Sequence, residues 1–240
     1  MKRANASIET GVIRLYNGWL DRRWAAFSGA TTELRVHGND TLTRKSPEYH
    51  LDCNEKPVAV TDMGSISWSE SVDPFGATIC LEQSGSGIHL RVTTYMSHGH
   101  PGIIRSLQLC NTGEAPIEVT RYAAEVLPLD TQRFTAGQTV ATTQTCVDDE
   151  CLYYRALTSH TGTLWLGSPC NNGFALFAPN PKYCAPIWTG NKTLEPGQVW
   201  TAPPSSLYWA GGNETDAPLA ALNDLHGEWR EHEQRSQETM

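Results

Sequence analysis

The segment from Pro101 to Leu129 constrains the fold more than any other part of the sequence. In its first half, Leu107 and Leu109 alternate with polar residues, the period of two that is typical of a strand with one buried face. Residues 111–113, Asn-Thr-Gly, are typical of a turn, because Asn and Gly tolerate left-handed backbone angles. The second half alternates again and predicts a strand with one face formed by Ile117, Val119, Arg121 and Ala123. The segment therefore predicts a long antiparallel hairpin.

Short strand-like segments separated by turns fill most of the remaining chain. Asn17-Gly18 predicts a hairpin turn, whereas the polar stretch from Thr41 to Pro57 predicts an irregular surface loop. Roughly a dozen short strands predict an all-β fold, a large antiparallel β-sandwich of two sheets. Nothing in the sequence is typical of a linker, so we expect one domain over residues 1–240.

The hydrophobic period changes only near the C-terminus. Residues at helical spacing share one face there, and Thr215 or Asp216 can cap the first turn. The apolar residues on that face are Leu219, Leu222, Leu225 and Trp229. We therefore expect strands within residues 1–212, one helix over 213–234 and a frayed polar tail over 235–240.

The composition excludes several classes of partner. The chain of 240 residues has a formal net charge of −8, which argues against nucleic acid and anionic membranes as partners. No apolar run approaches the roughly 20 residues that a membrane-spanning helix needs. The charged N-terminus lacks an apolar core, and the seven cysteines contain no CxxC pair, so we expect a cytoplasmic protein with reduced thiols.

Several segments carry a family resemblance. They are Ile13–Asn17, Pro101–Arg105 with Asn111–Gly113, Leu194–Gln198, the strand Ser206–Trp209, and the terminal helix with Leu222, His226, Trp229 and Arg230. Together they resemble the N-terminal domain of the α-galactosidases of glycoside hydrolase family 36. The resemblance implies a β-supersandwich similar to the galactose mutarotase sandwich. In that family the catalytic aspartates lie on a barrel that follows this domain, so we expect no catalytic residue of that kind here.

The same family has a loop that reaches the active site of a neighbouring subunit. The corresponding stretch, Pro47–Cys53, keeps a tyrosine and an aspartate but lacks the glycines and the arginine of the family motif. The resemblance thus makes Tyr49 and Asp52 candidate sugar contacts. Because family members are oligomers, it also implies a homo-oligomer or a separately encoded protein partner.

An enzyme related to mutarotases would need a histidine acid and a carboxylate base near one sugar. The candidates are His98, His100 and Glu125, although an exposed turn is the simpler interpretation of the two histidines. The acidic run of residues 148–150 is typical of a hydrated turn between strands rather than of a glycosidase pair. No set of three or four ligands has the spacing of a zinc site, so we expect no metal and no cofactor.

A binding function would use aromatic rings that stack on sugars. The chain has eight Trp, and Trp188 is the best surface candidate because Pro186 and Gly190 place it near a loop. Arg105 shares the register of Leu107 and Leu109, so we expect it to be partly buried and paired, with a sugar contact as the alternative.

Two functions remain open from the sequence. The first is a non-catalytic carbohydrate-associated or assembly module that binds a mono- or oligosaccharide. The alternative is a small sugar-active enzyme, similar to a mutarotase or epimerase, with a His and a carboxylate on the concave sheet face. A convergent pocket that holds His98 or His100 together with a carboxylate and an aromatic ring would favour the enzyme. A sheet face filled with apolar side chains would favour a scaffold.

Overall fold

The computed structural model describes residues 3–40, 45–46, 49–58, 62–128, 135–147, 150–168, 174–177, 183–211 and 219–238. The first strands are β1 (Asn5–Glu9), β2 (Val12–Tyr16), β3 (Leu20–Ala25), β4 (Thr31–Val36), β5 (Asn39–Asp40), β6 (His50–Cys53), β7 (Lys56–Pro57), β8 (Ser67–Val72), β9 (Gly76–Gly85) and β10 (Ile88–Ser97). The others are β11 (Gly102–Asn111), β12 (Ile117–Ala123), β13 (Leu127–Pro128), β14 (Thr135–Val147), β15 (Glu150–Ser159), β16 (Gly162–Ser168), β17 (Phe174–Phe177), β18 (Tyr183–Pro186), β19 (Trp188–Leu194) and β20 (Val199–Gly211). One helix, α1, follows at Leu219–Glu238.

The described strands form one large sheet and three smaller ones. The large sheet has eight strands in the order β14-β15-β16-β20-β11-β10-β9-β8. The smaller sheets have the orders β1-β2-β3-β4-β5, β19-β12-β6-β7 and β13-β18-β17. Neighbouring strands pair in the antiparallel sense, as in β10 with β11 and β12 with β19. The predicted fold class, an all-β antiparallel sandwich with one C-terminal helix, is confirmed, although the described strands form four sheets where the sequence predicted two.

Two of the smaller sheets pack on the same face of the large sheet and bury its apolar side chains. Trp24 and Leu34 of the five-stranded sheet join Ile79, Ile103 and other residues of the large sheet in one core cluster. A second cluster joins the four-stranded sheet to the large sheet through Leu51, Val119, Tyr122, Leu90, Val92 and Leu107. The alternation of β9, β10 and β11 produces this arrangement, because every second side chain points into the sandwich.

Helix α1 covers part of the opposite, outer face of the large sheet. Its apolar residues Leu222, Leu225 and Trp229 pack on the sheet, as the helical spacing predicted. The predicted end at residue 234 is wrong, since the helix continues to Glu238. Polar contacts support the extra turn: Arg235 pairs with Glu231 at 3.0 Å and lies 4.0 Å from the centre of the Phe75 ring. No helix of the described chain is long and apolar enough to cross a membrane.

The predicted hairpin of residues 101–129 is wrong in its pairing. Strand β11 pairs with β10 and β20 in the large sheet, whereas β12 pairs with β19 and β6 in the four-stranded sheet. The connection therefore crosses from one layer of the sandwich to the other. Asn111 stabilises this crossing, because its side-chain amide donates to the carbonyl oxygens of Ala115 at 2.9 Å and Leu194 at 2.8 Å.

The predicted face of β12 also differs from the structure. A bulge shifts the register between Val119 and Arg121 against both neighbouring strands. Val119 and Tyr122 are consequently buried, whereas Arg121 is exposed. A bulge adds one residue to a strand and reverses the alternation beyond it, which a strict period of two cannot predict.

The predicted surface loop of residues 41–57 is wrong where the structure describes it. Tyr49 and Leu51 are buried, and β6 pairs with β12 while β7 closes a short hairpin. The alternation of Tyr49 and Leu51 with His50 and Asp52 is short, and the polar residues around it obscured it. Pro47 and Glu48 lie outside the described residues.

Candidate functional site

A polar cleft of about 290 Å³ lies between the outer face of the large sheet and α1. Strands β8 to β11, β20 and the second half of the helix form its walls. Its lining residues are Ser69, Glu70, Ser71, Thr78, Cys80, Arg91, Thr93, Ser106, Gln108, Thr201, Trp229, His232 and Glu233.

The sheet side of the cleft follows from strand alternation. In β9, Ala77, Ile79 and Leu81 belong to the core clusters, so Thr78 and Cys80 project from the opposite face. The same alternation in β10 and β11 sends hydroxyls, an amide and a guanidinium into the cleft. The uncovered part of this face is therefore hydrophilic, unlike the aromatic part under α1.

A carboxylate, an imidazole and a hydroxyl form a chain along one wall. His232 Nδ1 lies 2.5 Å from Asp73 Oδ2, and His232 Nε2 lies 2.9 Å from Thr78 Oγ1. An ionised carboxylate only accepts hydrogen bonds, so Nδ1 donates to Asp73, while Nε2 shares a hydrogen bond with the Thr78 hydroxyl. The imidazole ring also stacks on Tyr95, with ring centres 5.0 Å apart.

Hydrogen bonds stabilise the ionised form of the Asp73 carboxylate. Its Oδ1 accepts hydrogen bonds from the backbone N–H groups of Phe75 at 2.8 Å and Gly76 at 2.9 Å. Partial burial alone would raise the pKa of Asp73, but the hydrogen bonds from His232 and from these two amides hold it below its usual value. The carboxylate is thus ionised and fixed in place.

Glu233 and Trp229 complete the helical wall. Partial burial raises the pKa of Glu233 although His232 lies nearby, so this carboxyl group is better suited to proton exchange than an exposed glutamate. Trp229 is only 8% exposed because most of its ring packs against the sheet. Its remaining surface gives the cleft an aromatic side.

Arg91 supplies a positive charge on the sheet side. Its Nε donates to the sulfur of Cys80 at 3.1 Å and lies 3.6 Å from Glu82 Oε1. Burial raises the pKa of the Cys80 thiol despite the neighbouring Arg91, so the thiol stays protonated near neutral pH. The sulfur is therefore a packing and hydrogen-bonding group, whereas the Arg91 guanidinium lines the cleft.

The two candidate histidines from the sequence have separate structural roles. His98 is buried; its Nδ1 accepts from the backbone N–H of Ala4 at 2.8 Å, and its Nε2 lies 2.9 Å from the carbonyl oxygen of Asp73. Both ring nitrogens are used, so the expected exposed turn is wrong for His98. His100 Nε2 lies 3.5 Å from Glu228 Oε1 on α1, and this contact raises the pKa of His100.

Arg105 and Glu125 belong to a buried ionic cluster inside the sandwich. Arg22 forms an ion pair with Glu125, and Arg105 NH1 lies 3.5 Å from the same carboxylate. Arg105 Nε also donates to Thr94 at 3.1 Å. Burial opposes ionisation of Glu125, but the two guanidinium groups hold its pKa below the usual range. Arg105 is thus buried and paired, as its register predicted, and it does not face the cleft.

The other candidates lie on the four-stranded sheet or beside it, away from the cleft. The hydroxyl of Tyr49 lies 3.3 Å from Gln83 Oε1, and Asp52 lies 3.1 Å from His50 Nε2. The Trp188 ring packs on Trp200 with ring centres 5.0 Å apart. The six predicted residues therefore do not converge on one site. Asp148 and Asp149 of the acidic run lie outside the described residues.

Sequence reasoning missed the residues that do converge. Residues 73–76, Asp-Pro-Phe-Gly, are typical of a turn, but nothing in the sequence ties Asp73 to a histidine 159 positions later. The helical spacing of Trp229, His232 and Glu233 could have indicated one shared helix face. Within the described residues, no group of three or more His, Cys, Asp or Glu could hold a metal ion.

Comparisons with known proteins support the fold. No protein-family model matches the sequence, and no curated protein matches it by sequence. Among solved structures, the family 36 α-galactosidase AgaB from Geobacillus stearothermophilus is similar, with a TM-score of 0.56 and 10% identity over 87% of this chain and 41% of that chain. A variant of AgaA from the same organism, in complex with raffinose, has a TM-score of 0.55 and 9% identity over 83% and 40% of the two chains.

A third similar structure has about the length of this chain. A putative aldose 1-epimerase from Escherichia coli K12 has a TM-score of 0.50 and 11% identity over 88% of this chain and 100% of that chain. By contrast, the chain spans about two fifths of the two galactosidase chains, which it covers to 41% and 40%. At such low identity these similarities show the fold, a sandwich shared with galactosidase and epimerase structures.

Proposed function

We propose that this chain is a carbohydrate-binding module that holds a mono- or oligosaccharide in the cleft beside α1. One observation carries the proposal: the cleft combines an indole side, from Trp229, with a guanidinium, an amide, hydroxyls and carboxylates. Sugars present apolar C–H faces and hydroxyls that both donate and accept, so a site for them needs this mixture. The sandwich fold, which galactosidase structures share, supports the same class of ligand.

The test is a thermal-shift screen followed by titration calorimetry with galactose, glucose and raffinose. A sugar present at one hundred times its dissociation constant should stabilise the folded chain by about 2.7 kcal/mol. Arg91→Gln should weaken binding by about tenfold or more, because a hydrogen bond to a charged group contributes about 1.5–3 kcal/mol. A matched control is Arg35→Gln, since the Arg35 and Arg91 side chains are 37% and 36% exposed but only Arg91 lines the cleft.

Two outcomes would contradict the proposal. One is a melting temperature that no sugar of the panel changes. The other is binding that Arg91→Gln leaves intact, which would place the ligand elsewhere on the surface.

A second candidate function is a sugar-active enzyme that exchanges anomers. The observation that favours it is the Asp73–His232 pair, which shares the cleft with Glu233. Anomer exchange needs one group to take the proton of the anomeric hydroxyl while another protonates the ring oxygen, and a carboxyl and an imidazole can do both.

Polarimetry of freshly dissolved α-galactose or α-glucose tests this anomer exchange. The wild type should equilibrate the anomers faster than buffer, and His232→Gln should abolish the gain; a wild type no faster than buffer excludes this function.

An assembly role can coexist with binding. We propose a homo-oligomer or a separately encoded protein partner, and the first surface to test is the one around Phe27, which is 89% exposed between β3 and β4. Light scattering measures the mass in solution. If the wild type and Phe27→Ser both have the mass of a monomer, the homo-oligomer is contradicted.

A further inference from the structure

The part of the large sheet beneath α1 differs from the open cleft because it is aromatic. We call it the aromatic floor; its residues are Tyr95, Tyr154, Trp165 and Tyr208, which are at most 8% exposed. Leu222 and Leu225 of α1 cover the floor, and Trp229 lies both on the floor and at the edge of the cleft. The floor and the cleft are therefore adjacent sections of one sheet face, and α1 covers the floor and borders the cleft.

The packing of α1 on this floor leaves polar atoms unpaired. Trp165 Nε1 and His226 Nε2 are buried and have no hydrogen-bond partner among the described residues. A buried polar atom without a partner opposes the packing that buries it. Both atoms would gain a partner if the helix moved away and a hydroxylated ligand or water took its place. The indole and phenol rings of the floor would then present faces of the kind on which sugars stack.

His226 makes the docking of α1 on the large sheet sensitive to acid. It is 3% exposed on the face of α1 that packs on the sheet. Burial, assisted by the charge of Arg230 one turn later, lowers the pKa of His226 to about 4. The sheet presents phenols to this part of the helix, and burial raises the pKa of Tyr95 and Tyr154, so they stay neutral in acid.

We propose that the aromatic floor is a second section of the carbohydrate site, and that α1, which covers it, detaches more readily in acid. The ligand part of this inference rests on the proposed carbohydrate-binding function, whereas the movement of the helix does not.

The change in α1 docking with pH follows from the difference between the pKa of His226 in the docked and in the detached helix. The imidazole of His226 takes a proton near pH 6.5 when the helix is detached but only near pH 4 when it is docked. Docking is therefore strongest above pH 6.5 and weakens as the pH falls towards 4, because the detached form binds the proton more readily. Between pH 7.5 and pH 5 the docking constant should fall by about 30-fold from this residue alone.

Other charged contacts of α1 modify this response. His100, beside Glu228 and Asp224, has a raised pKa, so its pair strengthens docking in acid and opposes release. Its side chain is 20% exposed, so solvent partly screens that contribution. Asp73 and Glu228 have lowered pKa values, and their contacts with His232, Ser97 and His100 are lost only below about pH 4. Partial burial raises the pKa of Glu233, which gives a small effect in the same sense as His100.

Hydrogen exchange of the full chain without sugar tests the movement of the helix. After correction for the intrinsic rate, peptides of residues 219–238 should lose protection between pH 7.5 and pH 5, by about 30-fold from His226 reduced by the opposing contributions of His100 and Glu233. Peptides of β10 and β11 should keep theirs. His226→Gln should remove this loss, while His160→Gln, an exposed histidine between β15 and β16, should not. Equal protection of α1 at both pH values, or a loss that His226→Gln leaves unchanged, overturns the proposal.

Raffinose titrations at pH 7.5 and pH 5 test the second section of the site. Affinity should rise at pH 5 in the wild type, and Trp165→Phe, which removes the indole N–H, should reduce that rise. If α1 opens but raffinose binds equally at both pH values, the floor is not a binding section and that part is overturned. If α1 opens and raffinose binds at neither pH, the carbohydrate function fails for this sugar, while the acid-sensitive cover stands.

Discussion

At the scale of single residues, the buried cluster of Arg22, Arg105 and Glu125 shows how a candidate site becomes a structural one. The Glu125 carboxylate accepts from both guanidinium groups, and Arg22 also donates to Thr31 at 2.8 Å. These charges join the five-stranded sheet to the large sheet. A buried charge costs several kcal/mol unless it is paired, so each member of the cluster depends on the others.

Removing the carboxylate should therefore destabilise the whole chain. Glu125→Gln leaves two buried guanidinium groups without their counter-charge, and we expect the free energy of unfolding to fall by about 3–5 kcal/mol. Urea denaturation at pH 7 measures it. The matched control is Asp21→Asn, which weakens the partly exposed pairs with Arg14 at 2.9 Å and Arg23 at 3.2 Å and should cost about 1 kcal/mol or less. Equal effects of the two substitutions would contradict this account.

The sequence could predict only part of this cluster. The register of Arg105 with Leu107 and Leu109 predicted its burial and its pairing. It could not predict the partners, because Arg22 and Glu125 are 103 positions apart and meet only when two sheets pack. The same holds for Asp73 and His232: a turn and a helix face are visible in the sequence, but the contact between them depends on tertiary structure.

At the scale of elements, alternation predicted strands better than it predicted their partners. Both β11 and β12 exist where the sequence placed them, yet they belong to different sheets. A hairpin and a crossing between layers have similar local sequences, and the choice depends on which sheet edge is free. The bulge in β12 and the short strand β6 were missed because each changes or shortens the period that reveals a strand.

Asn111 should be the residue on which the crossing from β11 to β12 depends. Asn111→Ala removes the donors to the carbonyl oxygens of Ala115 and Leu194 and the acceptor for the N–H of Gly113. We expect a loss of about 2 kcal/mol in the free energy of unfolding, since buried partners lose their hydrogen bonds. The control is Asn5→Ala, whose side chain makes one exposed hydrogen bond to Arg3. An unchanged denaturation midpoint for Asn111→Ala would show that water replaces these bonds.

At the scale of the whole molecule, one eight-stranded sheet organises every layer. Its inner face supplies apolar residues to both core clusters, and Trp68 packs against each of them. Its outer face carries the aromatic floor and the polar cleft. The sequence could predict the sandwich because its strands follow a regular period. It could not predict which side of the sandwich carries the cleft, because that depends on where α1 docks.

Because both core clusters contain residues of this one sheet, we expect the chain to unfold in one step. Neither the five-stranded nor the four-stranded sheet can detach without exposing the inner face of the large one, so the two core clusters should be lost together. Calorimetry at pH 7.5 should show one transition whose calorimetric and van't Hoff enthalpies agree. Glu125→Gln, in the first cluster, and Asn111→Ala, beside the second, should lower the same melting temperature. Two transitions, each sensitive to one substitution, would instead show that the cores fold as separate units.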